Sequence, residues 1–232
     1  MKEVLETGAK ENTKILGIRI FLVRHGETDW NKTHRFQGRI NLPLNQEGKD
    51  HARALGLALE EESLTAIYSS PLARAIETAR IIKEFHPSTP FFEEEGLVEM
   101  NLGEFDGMEV GNWIAQYQDF FNTWRSTPGS LRMPGGENLQ EVQRRAVDAL
   151  ERITELYPSG STLLFCSHNF VNRTLLCYAS GITLDRFRDF QQDPAALNVL
   201  YKRERQLWTG VVNDVSHLKK YEGYSPRERV SR

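Results

Sequence analysis

Short, continuously apolar runs alternate along the chain with segments in which apolar side chains recur every three or four residues. Runs of the first kind cover residues 18–23, 66–69 and 162–167, and their length and β-branched content predict buried strands. The spacing of the second kind predicts amphipathic helices between the strands. This alternation favours an α/β fold with three layers, in which a mostly parallel sheet carries helices on both faces.

Four helices are predicted from capping residues and apolar spacing. Asn45 caps the first, and Ser70-Pro71 opens the second, because proline is favoured at the first helical position. A long third helix begins near Asn138, and a fourth covers about residues 169–179. The predicted apolar face of the third helix consists of Leu139, Val142, Ala146, Leu150, Ile153 and Leu156.

Residues 198–202 and 206–212 predict two further strands joined by a short charged turn. They would give the sheet one hairpin-like edge.

Residues 108–133 interrupt the alternation of strands and helices. Aromatic side chains at positions 113, 117, 120 and 124 have helical spacing, which favours a helix packed on the core over a cage around a substrate. Both interpretations hold together if the helix forms a lid. We therefore predict one domain over residues 18–218 with a cap insertion at about 108–133, and tails at 1–17 and 219–232.

Composition narrows the class of protein without identifying an activity. The chain has 232 residues, of which 39 % are hydrophobic and 26 % charged, and a formal charge of −3, so a soluble globule with no nucleic-acid partner is expected. No apolar run is long enough to span a membrane. The first 17 residues lack the apolar centre of a signal peptide, and Cys166 and Cys177 lie in apolar surroundings typical of buried free thiols. These features predict a cytoplasmic protein.

The first candidate chemistry follows the first strand. Arg24 and His25 come at its carboxyl end, the edge of an α/β sheet where ligands bind. A histidine is neutral for much of the time near pH 7 and attacks phosphorus without first losing a proton, while an arginine presents a planar fork of donors to phosphate oxygens. Gly26 lets the backbone turn closely around a bound group. These three residues alone fit an ordinary turn equally well.

A second histidine strengthens the case. His168 follows the apolar run 162–167 just as His25 follows the first run, so both reach the same edge of the sheet. The other histidines lie away from the strand ends and are expected to be bystanders: His34, His51, His86 and His217.

Taken together, these and further motifs resemble the histidine phosphatase superfamily, the phosphoglycerate mutase-like group, over residues 18–218 in the same order. The motifs are Arg24-His25-Gly26-Glu27-Thr28 with Asn31, Phe36-Gln37-Gly38, Pro43-Leu44-Asn45, residues 69–79 with Arg74, residues 97–107 with Glu99, Pro134-Gly135-Gly136-Glu137 and Ser167-His168. The resemblance implies a phosphoglycerate mutase-like fold.

The resemblance also implies roles for individual residues. It makes His25 the nucleophile that becomes phosphohistidine, and Glu99 the proton donor to the leaving alkoxide. The other implied site residues bind the phosphate or substrate: Arg24, Asn31, Gln37, Gly38, Arg74, His168 and Asn169. Without the family pattern, Glu99 does not stand out from the acidic residues around it. No metal and no cofactor are expected, since two arginines and a second histidine already offset the phosphate charge.

Two positions depart from the family pattern. Asn169 follows the second histidine where many relatives have glycine, and Arg39 follows Gln37-Gly38 where many have an acidic residue. A positive charge at Arg39 would favour a substrate with a second anion.

We therefore predict a metal-independent phosphatase that hydrolyses a small phosphomonoester through phosphohistidine at His25. The alternatives are a cofactor-dependent phosphoglycerate mutase, or a non-catalytic binding module on the same fold. The short segment before Pro134 favours the phosphatase, because the mutases carry a longer insertion there. The expected partner is a small phosphorylated metabolite, with no nucleic acid and no membrane, and exposed aromatic residues of the cap would support a homodimer.

Overall fold

Six strands form one sheet whose middle positions the candidate site. The strands are β1 (Ile18–Arg24), β2 (Ala66–Ser69), β3 (Phe91–Glu93), β4 (Thr162–Ser167), β5 (Leu197–Arg203) and β6 (Gln206–Asp214). Their order is β3-β2-β4-β1-β5-β6. The first four pair in parallel, and β5 and β6 run antiparallel at one edge. The predicted mostly parallel sheet with a hairpin-like edge is confirmed.

Helices cover both faces of this sheet. They are α1 (Asp29–Lys32), α2 (Gln46–Ala58), α3 (Ala73–Lys83), α4 (Val110–Gln116), α5 (Gln118–Ser126), α6 (Leu139–Thr154) and α7 (Asn169–Ser180). Side chains of α6 and α7 pack with Ile20 and Leu22 of β1, whereas those of α2 and α3 pack with Phe21 and Val23. Alternate residues of one buried strand therefore serve two cores, and the predicted three layers are confirmed.

The computed structural model describes residues 17–220. Most of the predicted N-terminal tail, and the C-terminal tail beyond residue 220, lie outside the described residues. Residues 219 and 220 belong to a short 3-10 helix, Ser216–Lys220. Within the described range, no helix is both long and apolar enough to cross a lipid bilayer. Cys166 and Cys177 are buried free thiols, as predicted.

Two predicted helix boundaries are wrong. Helix α3 begins at Ala73 and not at Pro71, because its N-cap is Leu72, whose backbone is extended (φ −72°, ψ 136°). The Ser70 hydroxyl accepts the Leu72 N–H at 3.3 Å and contacts His168 Nε2 at 2.8 Å. Helix α6 ends at Thr154, whose hydroxyl bonds back to the Leu150 carbonyl at 2.8 Å. Leu156 therefore lies beyond the helix and is 68 % exposed, so it is not part of the apolar face.

The aromatic segment forms two helices where the spacing predicts one. Its backbone leaves the helical region at Tyr117 (φ −123°, ψ 45°), which separates α4 from α5. Trp113 and Trp124 are nonetheless buried, and Trp113 packs edge-on against Phe105 with ring centroids 5.6 Å apart. The aromatic face thus packs on the core, as predicted. Strand β3 is not predicted from the sequence, because the acidic residues at its end are typical of a solvated loop.

Candidate active site

His25 follows β1 at the centre of the sheet and is almost fully buried. Its backbone N–H donates to the Ser167 carbonyl at 2.9 Å, and its ring Nδ1 lies 2.7 Å from the Gly26 carbonyl oxygen. Because a carbonyl only accepts, the proton of the neutral ring sits on Nδ1 and leaves Nε2 with a lone pair. Burial, and then the charges of Arg74 and Arg24, hold the pKa of His25 well below its usual value. The ring is therefore neutral at physiological pH.

The loop after His25 packs directly on the first turn of α2. A Cβ added at Gly26 would fall inside van der Waals distance of the Gly48 carbonyl, and one added at Gly48 would collide with the Glu27 carbonyl. The Gly26 N–H donates to Thr78 Oγ1 at 2.9 Å. These two glycines allow α2 to support the backbone that carries His25.

His168 lies directly beside His25, with ring centroids 5.1 Å apart. The parallel register that aligns Arg24 with Ser167 brings the two rings together. Nδ1 of His168 is buried and has no hydrogen-bond partner among the described residues. Burial lowers the pKa of His168 well below its usual value, and Arg74 and His25 add to the effect. Both histidines are thus neutral before a ligand binds.

Arg74, in the first turn of α3, is completely buried. Its two terminal nitrogens donate to the carbonyls of Ile40 and Gly38, each at 2.8 Å, which fixes the guanidinium. Its Nε has no hydrogen-bond partner in the described part of the chain. Burial lowers the pKa of Arg74 to about 10, although Glu99 and Asp106 oppose the shift, so the side chain stays charged at neutral pH.

Arg24 ends β1 and donates to the backbone carbonyl of Gln192. Gln192 is itself held by buried amides: its Oε1 accepts from Asn198 Nδ2 at 2.9 Å and from Asn172 Nδ2 at 3.2 Å. Asn198 Nδ2 also donates to the Leu22 carbonyl at 2.9 Å. A buried polar network therefore anchors the loop that orients Arg24.

Glu99 is 3 % exposed and meets the start of α7. One carboxylate oxygen accepts from the Met100 N–H at 2.8 Å, and the other from the Phe170 N–H at 3.2 Å. Burial raises the pKa of Glu99 above its usual value, against the opposing effects of these bonds and of Arg74. A carboxyl with a raised pKa is suited to hold and transfer a proton.

Asn31 and Gln37 are joined through Thr28. The Asn31 Oδ1 accepts from the Thr28 N–H at 3.1 Å, and the Gln37 Oε1 accepts from the Thr28 hydroxyl at 2.7 Å. With both amide oxygens occupied, each side chain keeps its NH₂ group as a donor. This arrangement suits the predicted contacts to phosphoryl oxygens.

Gly38, Asn169 and Arg39 are less direct candidates. The Gly38 N–H is taken by the Asp106 carboxylate, so its contribution in the structure is the carbonyl that holds Arg74. Asn169 is the half-buried first residue of α7, and its role stays a prediction. Arg39 lies 3.4 Å from a Glu137 carboxylate oxygen, so its charge is already paired.

Sequence reasoning missed three residues that hold site side chains in place. Ser70 contacts His168, Thr28 contacts the side chains of Asn31 and Gln37, and Gln192 contacts Arg24. The Ser-Pro pair draws attention to Ser70, but as a helix cap. Gln192 acts through its backbone, which no side-chain pattern reveals. The described residues contain no cluster of three or more histidine, cysteine or acidic side chains arranged to hold a metal ion.

Comparison with known proteins identifies the class. The family model of the histidine phosphatase superfamily (branch 1) matches residues 20–215, and the chain belongs to this family. It is 32 % identical to phosphoserine phosphatase 1 of Hydrogenobacter thermophilus over 201 residues. The matched region covers 87 % of this chain and 94 % of that protein. It is 30 % identical over 206 residues to a probable phosphoglycerate mutase GpmB of Salmonella choleraesuis, covering 87 % and 95 %.

A solved structure agrees with the fold. Bacillus stearothermophilus YhfR superposes with a TM-score of 0.81 at 30 % identity, over 87 % of this chain and 99 % of that one. The predicted family and phosphoglycerate mutase-like fold are confirmed. The family match and the phosphatase-named relative also confirm the prediction of a phosphatase, a phosphoric monoester hydrolase.

Proposed function

We propose that the protein hydrolyses a small phosphomonoester in two steps through phosphohistidine at His25. In the first step a bond forms between Nε2 of His25 and phosphorus, the ester P–O bond breaks, and Glu99 gives its proton to the departing oxygen. In the second step Glu99 accepts a proton from water, the water oxygen bonds to phosphorus, and the P–N bond breaks to release inorganic phosphate. Glu99 regains its proton and His25 its lone pair, so the cycle closes.

Arg24, Arg74 and His168 stabilise the charge on the transferring phosphoryl group. Phosphoryl transfer spreads negative charge over three equatorial oxygens, so fixed cations and donors supply most of the catalysis. The guanidinium of Arg74 is already held in place by backbone carbonyls, and it needs no reorganisation when the substrate arrives. The NH₂ groups of Asn31 and Gln37 add neutral donors.

The observation that carries this proposal is the pair of buried, neutral histidine rings 5.1 Å apart beside two buried arginines. The test is phosphate release from p-nitrophenyl phosphate by the purified protein, by His25→Ala, and by His34→Ala, an exposed histidine outside the site. Turnover should be lost only in His25→Ala and should be unchanged by a chelator such as EDTA. Full activity of His25→Ala would contradict the mechanism. So would activity that is lost when a chelator is added and returns when a divalent ion is supplied.

A second candidate activity is phosphoglycerate mutase, which the GpmB relative's name favours. The two activities differ in the acceptor of the phosphoryl group, which is water for a phosphatase and the substrate's other hydroxyl for a mutase. Incubation with 3-phosphoglycerate should release free phosphate faster than it produces 2-phosphoglycerate. Interconversion faster than release would establish the mutase instead.

A further inference from the structure

We propose that Arg173, with Arg188 beside it, binds a second anionic group, carried by the part of the substrate that leaves. This inference rests on the proposed phosphatase and adds the substrate class: phosphomonoesters whose alcohol carries a carboxylate or another phosphate.

The first support is where Arg173 lies on α7. It follows His168 by five residues and Phe170, whose N–H donates to Glu99, by three. Side chains on a helix lean toward its N-terminus, so the Arg173 side chain extends toward the end of α7 that meets Glu99. Its guanidinium carbon is 5.6 Å from the ring centroid of Phe187, and that ring centroid is 6.0 Å from the centroid of Phe170. Arg173 therefore borders the Glu99 side of the site.

The second support is that Arg173 has unused donors. Its Nε is buried without a hydrogen-bond partner, and among the described residues its guanidinium takes part in no ion pair within 4 Å. Nearby Arg145 shows the usual arrangement, with bonds to both carboxylate oxygens of Glu137 and to the carbonyls of Gly96 and Glu99. A buried guanidinium donor without a partner is costly. An anion that binds there recovers that cost.

The third support is a second positive charge at the same place. The guanidinium carbon of Arg188 lies 4.6 Å from the Phe187 ring centroid, and its NH2 donates to the Trp124 carbonyl at 2.8 Å. Burial and then Arg188 lower the pKa of Arg173 to about 10, with Glu99 and Asp193 opposing the shift, so it remains a cation at neutral pH. Both guanidinium carbons thus lie within 6 Å of the same ring centroid, and both charges attract an anion bound near that ring.

The acids near Arg173 already have other partners. Glu99 accepts two backbone N–H groups. Asp193 Oδ2 accepts from Gln191 Nε2 at 2.8 Å and from Asn213 Nδ2 at 2.9 Å. Since Glu99 is the proposed proton donor to the leaving oxygen, the alcohol part of the substrate lies on this side of phosphorus. An anionic group on that alcohol reaches the two arginines.

The test compares substrates that differ by one anionic group. O-phosphoserine and O-phosphoethanolamine differ by a carboxylate, and a hexose bisphosphate and the matching monophosphate differ by a phosphate. For each pair we take the ratio of kcat/KM for the member with the additional anionic group to kcat/KM for the member without it. In Arg173→Met this ratio should fall by about 10- to 100-fold for at least one pair, which is the size of one charge-assisted contact. Arg173→Lys should give an intermediate ratio. Arg144→Met, on the exposed face of α6, is the matched control and should keep both ratios.

Two results would overturn the inference. The first is an unchanged ratio for both pairs in Arg173→Met, whether or not the rates themselves fall, and the second is an Arg144→Met effect of the same size. Calorimetric binding of the same compounds to His25→Ala, with and without Arg173→Met, makes the comparison without turnover. If the unaltered protein hydrolyses none of the compounds, nor p-nitrophenyl phosphate, the phosphatase proposal fails, and the binding comparison still decides the role of Arg173.

Discussion

Each of the two histidines has one ring nitrogen in contact with a neighbouring oxygen. The Gly26 carbonyl fixes the proton of His25 on Nδ1. At His168 the partner is the Ser70 hydroxyl, 2.8 Å from Nε2, and the Ser70 oxygen also accepts the Leu72 N–H at 3.3 Å. When the hydroxyl donates to Nε2 of His168, the ring proton lies on Nδ1, and we predict this tautomer. That N–H, buried and without a hydrogen-bond partner among residues 17–220, is a ready donor to a phosphoryl oxygen.

Replacement of Ser70 should therefore disturb catalysis through His168. Ser70→Ala removes the partner of Nε2, and we expect kcat for p-nitrophenyl phosphate to fall by roughly 10-fold, less than the roughly 10²- to 10³-fold for a lost transition-state donor, because the His168 ring itself remains. Ser70→Thr keeps the hydroxyl and should recover most of the rate. Nitrogen-15 NMR of the His168 ring provides a readout beyond activity, because its tautomer should become mixed in Ser70→Ala. A single unchanged tautomer with an unchanged kcat would show that Ser70 does not position the ring.

Glu99 should control the alkaline side of the pH profile. The acid form of Glu99 donates the proton in the first step, so kcat/KM falls as pH rises through the pKa of Glu99, and burial moves that fall to higher pH than for an ordinary glutamate. In Glu99→Gln this limb should vanish. The loss of kcat/KM, which reports the phosphorylation of His25, should be about 10² to 10⁴-fold for an alkyl phosphate and much smaller for p-nitrophenyl phosphate, whose leaving group needs little protonation. Equal losses on both substrates would move the acid role to another residue, such as Glu104 or Asp106.

Helix α2 supports the site although it supplies no side chain to the proposed chemistry. Its first turn packs on the loop after β1 through Gly26 and Gly48, and Asn45, its N-cap, accepts the Gly48 N–H at 2.8 Å. The Asn45 Nδ2 also donates to Glu27 Oε1 at 3.0 Å. The position of the backbone that carries His25 therefore depends on the packing between this loop and α2.

Gly48→Ala should be destabilising and should lower activity. The added methyl group meets the Glu27 backbone, and overpacking of this kind costs about 1–3 kcal/mol of unfolding free energy. Gly111→Ala is the matched control, since that exposed helical glycine has its nearest neighbour, Glu109 Oε1, 3.8 Å from the added Cβ. It should be neutral or stabilising by up to about 1 kcal/mol. Urea unfolding measures both, and equal stabilities for the two variants would refute the close contact.

Apolar patterning predicts the elements that are regular and buried. β1 and β4 are mainly apolar runs, and α6 has apolar residues at helical spacing, so their positions follow from the sequence. Breaks in regular structure do not follow. The helix is interrupted at Tyr117, whose ring packs on Phe105 with ring centroids 5.0 Å apart, and Ser70 contacts His168 ahead of the start of α3. Contacts between residues distant in sequence are not contained in local propensity.

Some residues of the candidate site can be predicted from the local sequence, and others depend on contacts that form only in the folded protein. His25 and His168 are predictable because each directly follows a strand, and the carboxyl ends of parallel strands lie at the same edge of the sheet. Glu99 is not, since its burial and its bond to Phe170 join residues 71 positions apart, and only the family pattern distinguishes it from neighbouring acids. The unused donors of Arg173 and the paired charge of Arg39 likewise depend on the packed molecule.

The most direct test of the account is to trap the phosphoenzyme. Unaltered protein is mixed with p-nitrophenyl phosphate, quenched under alkaline denaturing conditions that preserve the P–N bond, digested and analysed by mass spectrometry. We predict phosphate on His25 within the first turnover, more of it in Glu99→Gln because water attack is slowed, and none in His25→Ala. Steady phosphate release with no phosphate on His25 during turnover, or with phosphate on a different residue, would contradict the mechanism.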